Sequence, residues 1–215
     1  MIHYFQQHQG QILGWLGWHA RLSALPLVFG LIVALPLGWL ANRYRWAYPP
    51  LVSIAGLLYT IPSLALFIVL PGILKTRILD PTNVIVALTI YTVALLVRVI
   101  ADGLAAVPQD VLQAATAMGY RGFGRFSKVE LPIAVPVIGA GLRVAAVSNV
   151  SLVSVSALIG VPELGQLFTN GFQLAYQTPI MLGILLSVLL AISFDVIIQL
   201  LTRAMTPWRR AVQPA

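Results

Sequence analysis

The residues whose kinds and spacing promise work on another molecule lie between Gln113 and Pro132, in the run QAATAMGYRGFGRFSKVELP. It is the one long polar and basic interruption in the second half of an apolar chain. The chemistry it offers is contact rather than bond making. Asp110, just upstream, would sit near the positive end of the dipole of a helix begun at Pro108-Gln109. Val111, Leu112, Ala115 and Met118 recur near helical spacing and form one apolar stripe. Ala114 and Ala115 are small enough for another protein surface to approach closely. Gly119, six positions after Gln113, can close the helix in the left-handed conformation. Gly122 and Gly124 loosen the chain before Phe126 and Leu131, and Pro132 can begin the next helix, where its missing N–H costs nothing. The spacing predicts a short exposed helix, a glycine stop and a new helix start.

Bond-making chemistry has no comparable foothold. The sequence contains no Gly-Lys-Ser or Gly-Lys-Thr, so it lacks a phosphate-binding loop, and it contains no HExxH. No Ser/His/Asp set or paired carboxylates stand out. Cysteine is absent, which excludes disulfides and thiolate metal sites. His3, His8 and His19 have no metal-ligand spacing and are expected to be solvated. The chain reads as no enzyme by itself, with no bound cofactor or metal.

The elements that must position the Gln113–Pro132 stretch are membrane helices. Apolar residues make up 59% of the chain and charged ones 9%, against about 25% charged in soluble domains. The expected fold is an all-α membrane protein of about five transmembrane helices. The spans run over about 22–41, 51–70, 84–104, 141–158 and 179–201, each long enough for a hydrocarbon core of about 30 Å. Residues 1–18 form an N-terminal interfacial segment rich in Trp15 and Trp18, 19–205 the transmembrane domain, and 206–215 a basic tail. Pro49-Pro50 is expected to keep the first connection non-helical. Pro62 should break the second span and free the Leu58 carbonyl, with Thr60 and Ser63 partly satisfying the local polar groups. Pro136, Gly139 and Gly141 predict a short entry helix before the fourth span, and Gly160 to Thr178 a polar loop. Arg98 and Asp102, four apart, share a face and can pair. Arg143, inside a span, needs helix-end carbonyls, Glu130 or a neighbouring subunit.

Charge orients this bundle. With the N-terminus outside, the inner segments hold Arg43, Arg45, Arg121, Arg125, Lys128, Arg203, Arg209 and Arg210, and the outer ones only Arg21, Lys75 and Arg77. The net charge of +7 is thus a matter of inner loops rather than nucleic acid. The Gln113–Pro132 stretch falls in the cytoplasm.

That stretch resembles the EAA loop of ATP-binding-cassette importer permeases, whose pattern is Glu-Ala-Ala, three residues, Gly, nine residues, Ile-x-Leu-Pro. The spacing fits throughout, with Gln113 in place of Glu and Val129 in place of Ile. The segment YTIPSLALF, Tyr59 to Phe67, is similar to permeases for glycine betaine, choline and carnitine. So is Ala157-Leu158-Ile159-Gly160 with Glu163-Leu164-Gly165, where Glu163 replaces a glycine. The resemblance implies a permease subunit of a binding-protein-dependent importer in a bacterial or archaeal plasma membrane. Gln113, Ala114, Ala115, Gly119, Leu131 and Pro132 would then form the loop that couples it, as a short cytoplasmic helix between spans 3 and 4, to an ATPase subunit. ATP and Mg would be bound by that partner. A second permease copy or a paralogue and an extracytoplasmic substrate-binding protein would complete the complex within membrane lipid.

A path between two copies is expected near the Pro62 break and the Ser148–Asn149 region, with Tyr59 and Tyr91 offering aromatic faces to a cation and Ser63 close by. The preferred solutes are glycine betaine, choline or carnitine; a methionine-type amino-acid importer shares the five-span core. An ion-coupled carrier is disfavoured. Asp102, Asp110, Glu130 and Asp195 are expected at the inner boundary, and Asp80 and Glu163 in outer loops, leaving no buried carboxylate for an ion. A non-transporting scaffold subunit is opposed by the docking loop alone.

Overall fold

A computed structural model describes residues 1–208, and all of its regular elements are helical. Arg209, Arg210 and most of the expected tail lie outside the described residues. The first helix, α1, runs from Ile2 to Arg43. It is kinked at His8, whose φ of −119° and ψ of 16° are not helical, and the part beyond the kink extends about 52 Å, well over the hydrocarbon thickness. The expected interfacial segment is the beginning of this same helix. Ile12 is buried against Leu164, Leu167 and Leu182, with Tyr4, Phe5, Trp15 and Leu16 packed around it. Pro26 and Pro36 stay within the helix, because neighbouring helices supply the packing that tolerates them.

Helix α2 (Tyr48–Thr60) begins with Pro49 and Pro50 in its first turn. The pair expected to prevent a helix therefore starts one, since first-turn N–H groups have no intrahelical acceptor to lose. Helix α3 (Ser63–Leu74) leaves α2 at an angle of 101°, at Ile61-Pro62. Helix α4 (Pro81–Ala105) opens on Asp80, whose carboxylate accepts the Thr82 N–H at 2.9 Å. Helices α5 (Gln109–Ala117) and α6 (Gly122–Arg125) form the connection, and a π turn over Phe126–Glu130 leads into α7 (Leu131–Val153).

The expected entry helix and fourth span are this one helix α7. Gly139 and Gly141 do not interrupt it. They let other helices close in, because a Cβ at Gly139 would strike Thr202 and one at Gly141 would strike Val99. A 3₁₀ turn (Ser154–Ile159) ends the helix. The following loop is folded rather than open. It contains α8 (Gln166–Gln173) and buries Val161, Glu163, Leu164 and Leu167. Helix α9 (Gln177–Met205) completes the bundle.

Among the described residues four helices are long and apolar enough to cross a membrane, and the bent α2–α3 pair makes up to five. The tightest joint is α1 against α4. A Cβ at Gly30 would collide with Thr92, and one at Gly38 with Ile100, while Ala34 between them is fully buried. Both contacts advance by eight residues, so α1 and α4 run parallel. Small residues at 30, 34 and 38 allow this approach, which is how membrane helices gain packing without a hydrophobic drive. The bundle therefore has two ends, a loop end carrying α5 and α6 and a far end carrying α8.

Candidate functional site

At the loop end, helix α5 closes as its residues dictate. The Gly119 N–H donates to the Thr116 carbonyl and the Tyr120 N–H to the Ala115 carbonyl, each at 3.0 Å, with Gly119 at φ +89°. This pair of bonds satisfies the last carbonyls only with a left-handed residue between them, and no Cβ fits that conformation cheaply. Gln113, Ala114 and Gly119 are exposed. Ala115 is not, at 1% exposure. Its smallness serves the packing of α5 on its own chain, and Ala114 is the small residue left open to a partner. Of the expected stripe, Leu112 is half-buried while Val111 and Met118 face outward. Met118 and Phe123 leave two large apolar side chains bare beside the Gly119 stop.

The segment is braced from behind. Arg125 donates through Nε to Glu130 Oε1 at 2.7 Å and through Nη1 to Thr116 Oγ1 at 3.3 Å. Glu130 is buried, and Phe126 sets its ring 5.7 Å from that of Trp39 on α1. Leu131 and Pro132 are half-buried at the start of α7 and join the hinge rather than the exposed surface. A cavity of ≈ 910 Å³ opens above α5, bounded by Arg43 and Arg45, by Tyr48, and by Gln109, Gln113 and Arg125.

The expected path residues divide. Tyr59 and Tyr91 meet edge to face with ring centroids 5.8 Å apart. Tyr59 is exposed, but Tyr91 is buried and donates its hydroxyl to the Ile61 carbonyl at the break. The Leu58 carbonyl is not left free, because the Ile61 N–H reaches it, and Thr60 bonds Leu57 instead. Pro62 is exposed and Ser63 half-buried at the first turn of α3. Ser148 is half-buried, whereas Asn149 is 2% exposed and donates to Thr92 Oγ1 at 3.0 Å and to the Ser23 carbonyl at 3.4 Å. Asn149 thus ties α7 to α4 and α1.

Two ion pairs depart from the sequence expectations. His19 is not solvated and Glu163 is not in an open loop: both are fully buried, with Nδ1 of His19 2.8 Å from Glu163 Oε2. The other ring nitrogen, Nε2, lies 3.0 Å from the Val150 carbonyl. Both contacts are hydrogen bonds only if the pair carries two protons, as imidazolium with carboxylate or as imidazole with carboxylic acid. Either way the pair is neutral as a unit, which is what burial demands. Glu163 Oε2 also accepts the Gly165 N–H at 2.6 Å. A side chain at residue 165 would collide with Glu163 and the Ser154 carbonyl, so Gly165 is required beside it.

Arg143 finds its partner within the chain. Its Nε and Nη2 donate to Asp195 Oδ1 and Oδ2 at 2.6 and 2.8 Å, in the forked geometry of a guanidinium on a carboxylate. Asp195 lies ten residues before the end of α9, about 15 Å inside it. Arg98 and Asp102 do pair, at 3.5 Å on the exposed end of α4, where Tyr48 also donates to Asp102. The buried Glu163 was missed because its partner His19 lies 144 residues away, whereas Glu130, whose partner Arg125 is five residues away, was expected at the inner boundary rather than buried. The one available signal was Glu163 standing where the resemblance has glycine. Among the described residues no group of three metal-ligating side chains comes together.

Comparison with known proteins places this geometry. The family described as "Binding-protein-dependent transport system inner membrane component" matches residues 14–207. The osmoprotectant import permease protein OsmW of Salmonella typhimurium is 33% identical over 96% of this chain and 97% of its own length. The glycine betaine/carnitine/choline transport system permease protein OpuCD of Bacillus subtilis is 30% identical over 96% and 90%. In fold, the chain matches a subunit of the MetNI methionine ABC transporter in an inward-facing conformation, with a TM-score of 0.81, 21% identity, and 93% and 98% of the two chains covered.

Proposed function

This chain belongs to the family of binding-protein-dependent transport system inner membrane components, and on that premise we propose that it moves quaternary-ammonium compatible solutes into the cell. It is a permease subunit of an ABC importer, a multi-pass inner-membrane protein rather than a catalyst. Glycine betaine, choline and carnitine are the solute class. The observation that carries this reading is that relatives aligned over nine-tenths or more of both chains are permeases for osmoprotectants, glycine betaine, carnitine and choline. The likeness to a methionine transporter concerns fold alone at 21% identity.

The mechanism follows from the loop end. Two ATPase subunits bind ATP and Mg and close on each other, and each grips the α5 segment of a permease copy. Gln113, Ala114, Gly119 and Met118 form the gripped surface. Gly119 fixes its shape, and the Arg125–Glu130 pair with Phe126 passes the movement to α7 and α1. The N-terminus is outside and the loop end cytoplasmic, which the arginine distribution favours. A second copy or a paralogue completes the path, and an extracytoplasmic binding protein delivers the solute.

The test is ATP hydrolysis by the complex reconstituted with its ATPase and binding protein. Glycine betaine, choline or carnitine should stimulate it and methionine should not. Stimulation by methionine alone would replace the solute assignment with the amino-acid reading.

A further inference from the structure

We infer that the Arg143–Asp195 pair is a polar station on the wall of the translocation path, where a small solute carrying a quaternary ammonium and a carboxylate is met by both charges. The inference rests on the solute class proposed above. Its physical basis is depth, exposure and unused bonding capacity, taken together.

Depth comes from two helices that run in opposite directions. Arg143 is thirteen residues past Glu130 along the helix that ascends from the loop end, or about 20 Å. Asp195 is eight residues before Arg203, the basic residue at the loop end of α9, or about 12 Å. Each residue lies at least ten residues from both ends of a helix longer than a hydrocarbon core of about 30 Å. Charges at that depth face protein or water rather than lipid.

The exposure is incomplete but substantial. Within the single chain the Arg143 side chain is 37% exposed and that of Asp195 29%. The opposite side of α7 is closed, because Gly141 seats α7 directly on Val99 of α4. The side next to the pair carries Val147 on α7 and Ile192 and Val196 on α9, all exposed. The pair is thus a charged spot on a largely apolar surface that also exposes Ser151 and Ser193.

Bonding capacity remains at this spot. Arg143 uses Nε and Nη2 on Asp195, and its Nη1 makes no hydrogen bond among the described residues. A guanidinium has five N–H donors, and a carboxylate has lone pairs beyond the two used here. A carboxylate-bearing solute can bond Nη1 while its ammonium lies against Asp195. A solute with only the ammonium, such as choline, engages Asp195 alone. The pair is neutral overall, so it offers orientation and discrimination without trapping a charge, which a transport path requires.

The experiment uses the reconstituted importer in proteoliposomes. Wild-type uptake of glycine betaine and choline comes first; if neither is taken up, the solute reading fails before the pair is tested. The chain has no cysteine, so Val147→Cys, one turn from Arg143, reports on that face by itself within this subunit. A membrane-impermeant methanethiosulfonate bearing a quaternary ammonium should modify it in at least one nucleotide state, more slowly with saturating glycine betaine. Absence of labelling in every state would overturn the inference, because a lipid-facing or dry surface is unreachable.

The second arm compares Arg143→Lys with the exchange Arg143→Asp/Asp195→Arg. Lysine keeps the charge and loses the fork. It should raise the KM for glycine betaine relative to that for choline by about tenfold, the scale of one hydrogen bond to a charged group. The exchange should restore assembly and still leave the two KM values altered in ratio. Unchanged KM ratios in Arg143→Lys would make the pair a structural tie only and overturn the inference, whether or not the exchange assembles.

Discussion

The α5 segment at the loop end and the buried cluster around His19 each place a few polar residues in an apolar chain, and they do so in opposite ways. The first turns outward. Its bonds link residues three to nine apart, and Gln113, Ala114 and Met118 stay bare. The second turns inward. His19, Glu163, Ser23, Asn149 and Thr92 join α1, α4, α7 and the segment before α8 across 57 to 144 residues of sequence. The outward cluster is the surface proposed to dock the ATPase. The inward one holds the far half of the bundle in register, although Glu163 Oε1 is buried without a hydrogen-bond partner among the described residues.

Breaking the inward cluster should have the largest effect. His19→Ala leaves the Glu163 carboxyl buried without its partner, which costs roughly 3–5 kcal/mol. The variant should lose membrane abundance and melt well below wild type in detergent. His19→Leu with Glu163→Gln removes the pair while retaining an acceptor for Gly165, and should recover most of the loss. An unchanged melting temperature in His19→Ala would mean that the cluster does not hold the far end.

The outward cluster should respond differently. Gly119→Val forces a β-branched residue to φ +89° although the space around it is open, so the strain is local and costs about 1 kcal/mol or more. Abundance and melting should stay near wild type while solute-stimulated ATP hydrolysis is lost. Ala114→Trp should act the same way from the exposed face. Ala115→Trp should instead reduce abundance, because Ala115 is packed inside. A stable Ala115→Trp variant with normal uptake would remove the distinction between the two alanines.

Smaller effects sharpen the contrast between helix ends and core. Tyr91→Phe withdraws the hydroxyl from the Ile61 carbonyl at the α2–α3 break and should cost about 1 kcal/mol, seen as faster hydrogen exchange near Ile61. Asp80 should give the smallest response. The Thr82 N–H it accepts holds its carboxyl below the usual carboxylate range, with Arg77 adding to this. A lowered folded value means that the cap stabilises α4 above the ordinary carboxylate range and loses that contribution as pH falls through the folded value. Asp80→Asn keeps an acceptor and should remove this acid dependence, which a melting series between pH 7 and about pH 3 would detect.

Legibility in sequence followed the same division. The α5 helix, its Gly119 stop and the Pro62 break were readable because each depends on residues within a turn or two of one another. So was the Arg98–Asp102 pair, four apart on one helix. His19 is solvated by the sequence reading, and Arg143 is assigned there to helix-end carbonyls, Glu130 or a neighbouring subunit, because Glu163 and Asp195 are 144 and 52 residues away. Pro49-Pro50, Gly139 and Gly141 were read as breakers by local propensity, and packing overruled it. The α1–α4 joint did have a local signal in Gly30, Ala34 and Gly38, spaced four apart on one face.

The most direct measurement of the account is crosslinking in the assembled importer. A photoreactive residue at Gln113 or Met118 should capture the ATPase subunit, and one at Lys75, at the other end of the bundle, should not. Capture of the ATPase from Lys75 with none from Gln113 or Met118 would contradict the assignment of the α5 segment as the docking surface and the orientation of the whole chain with it.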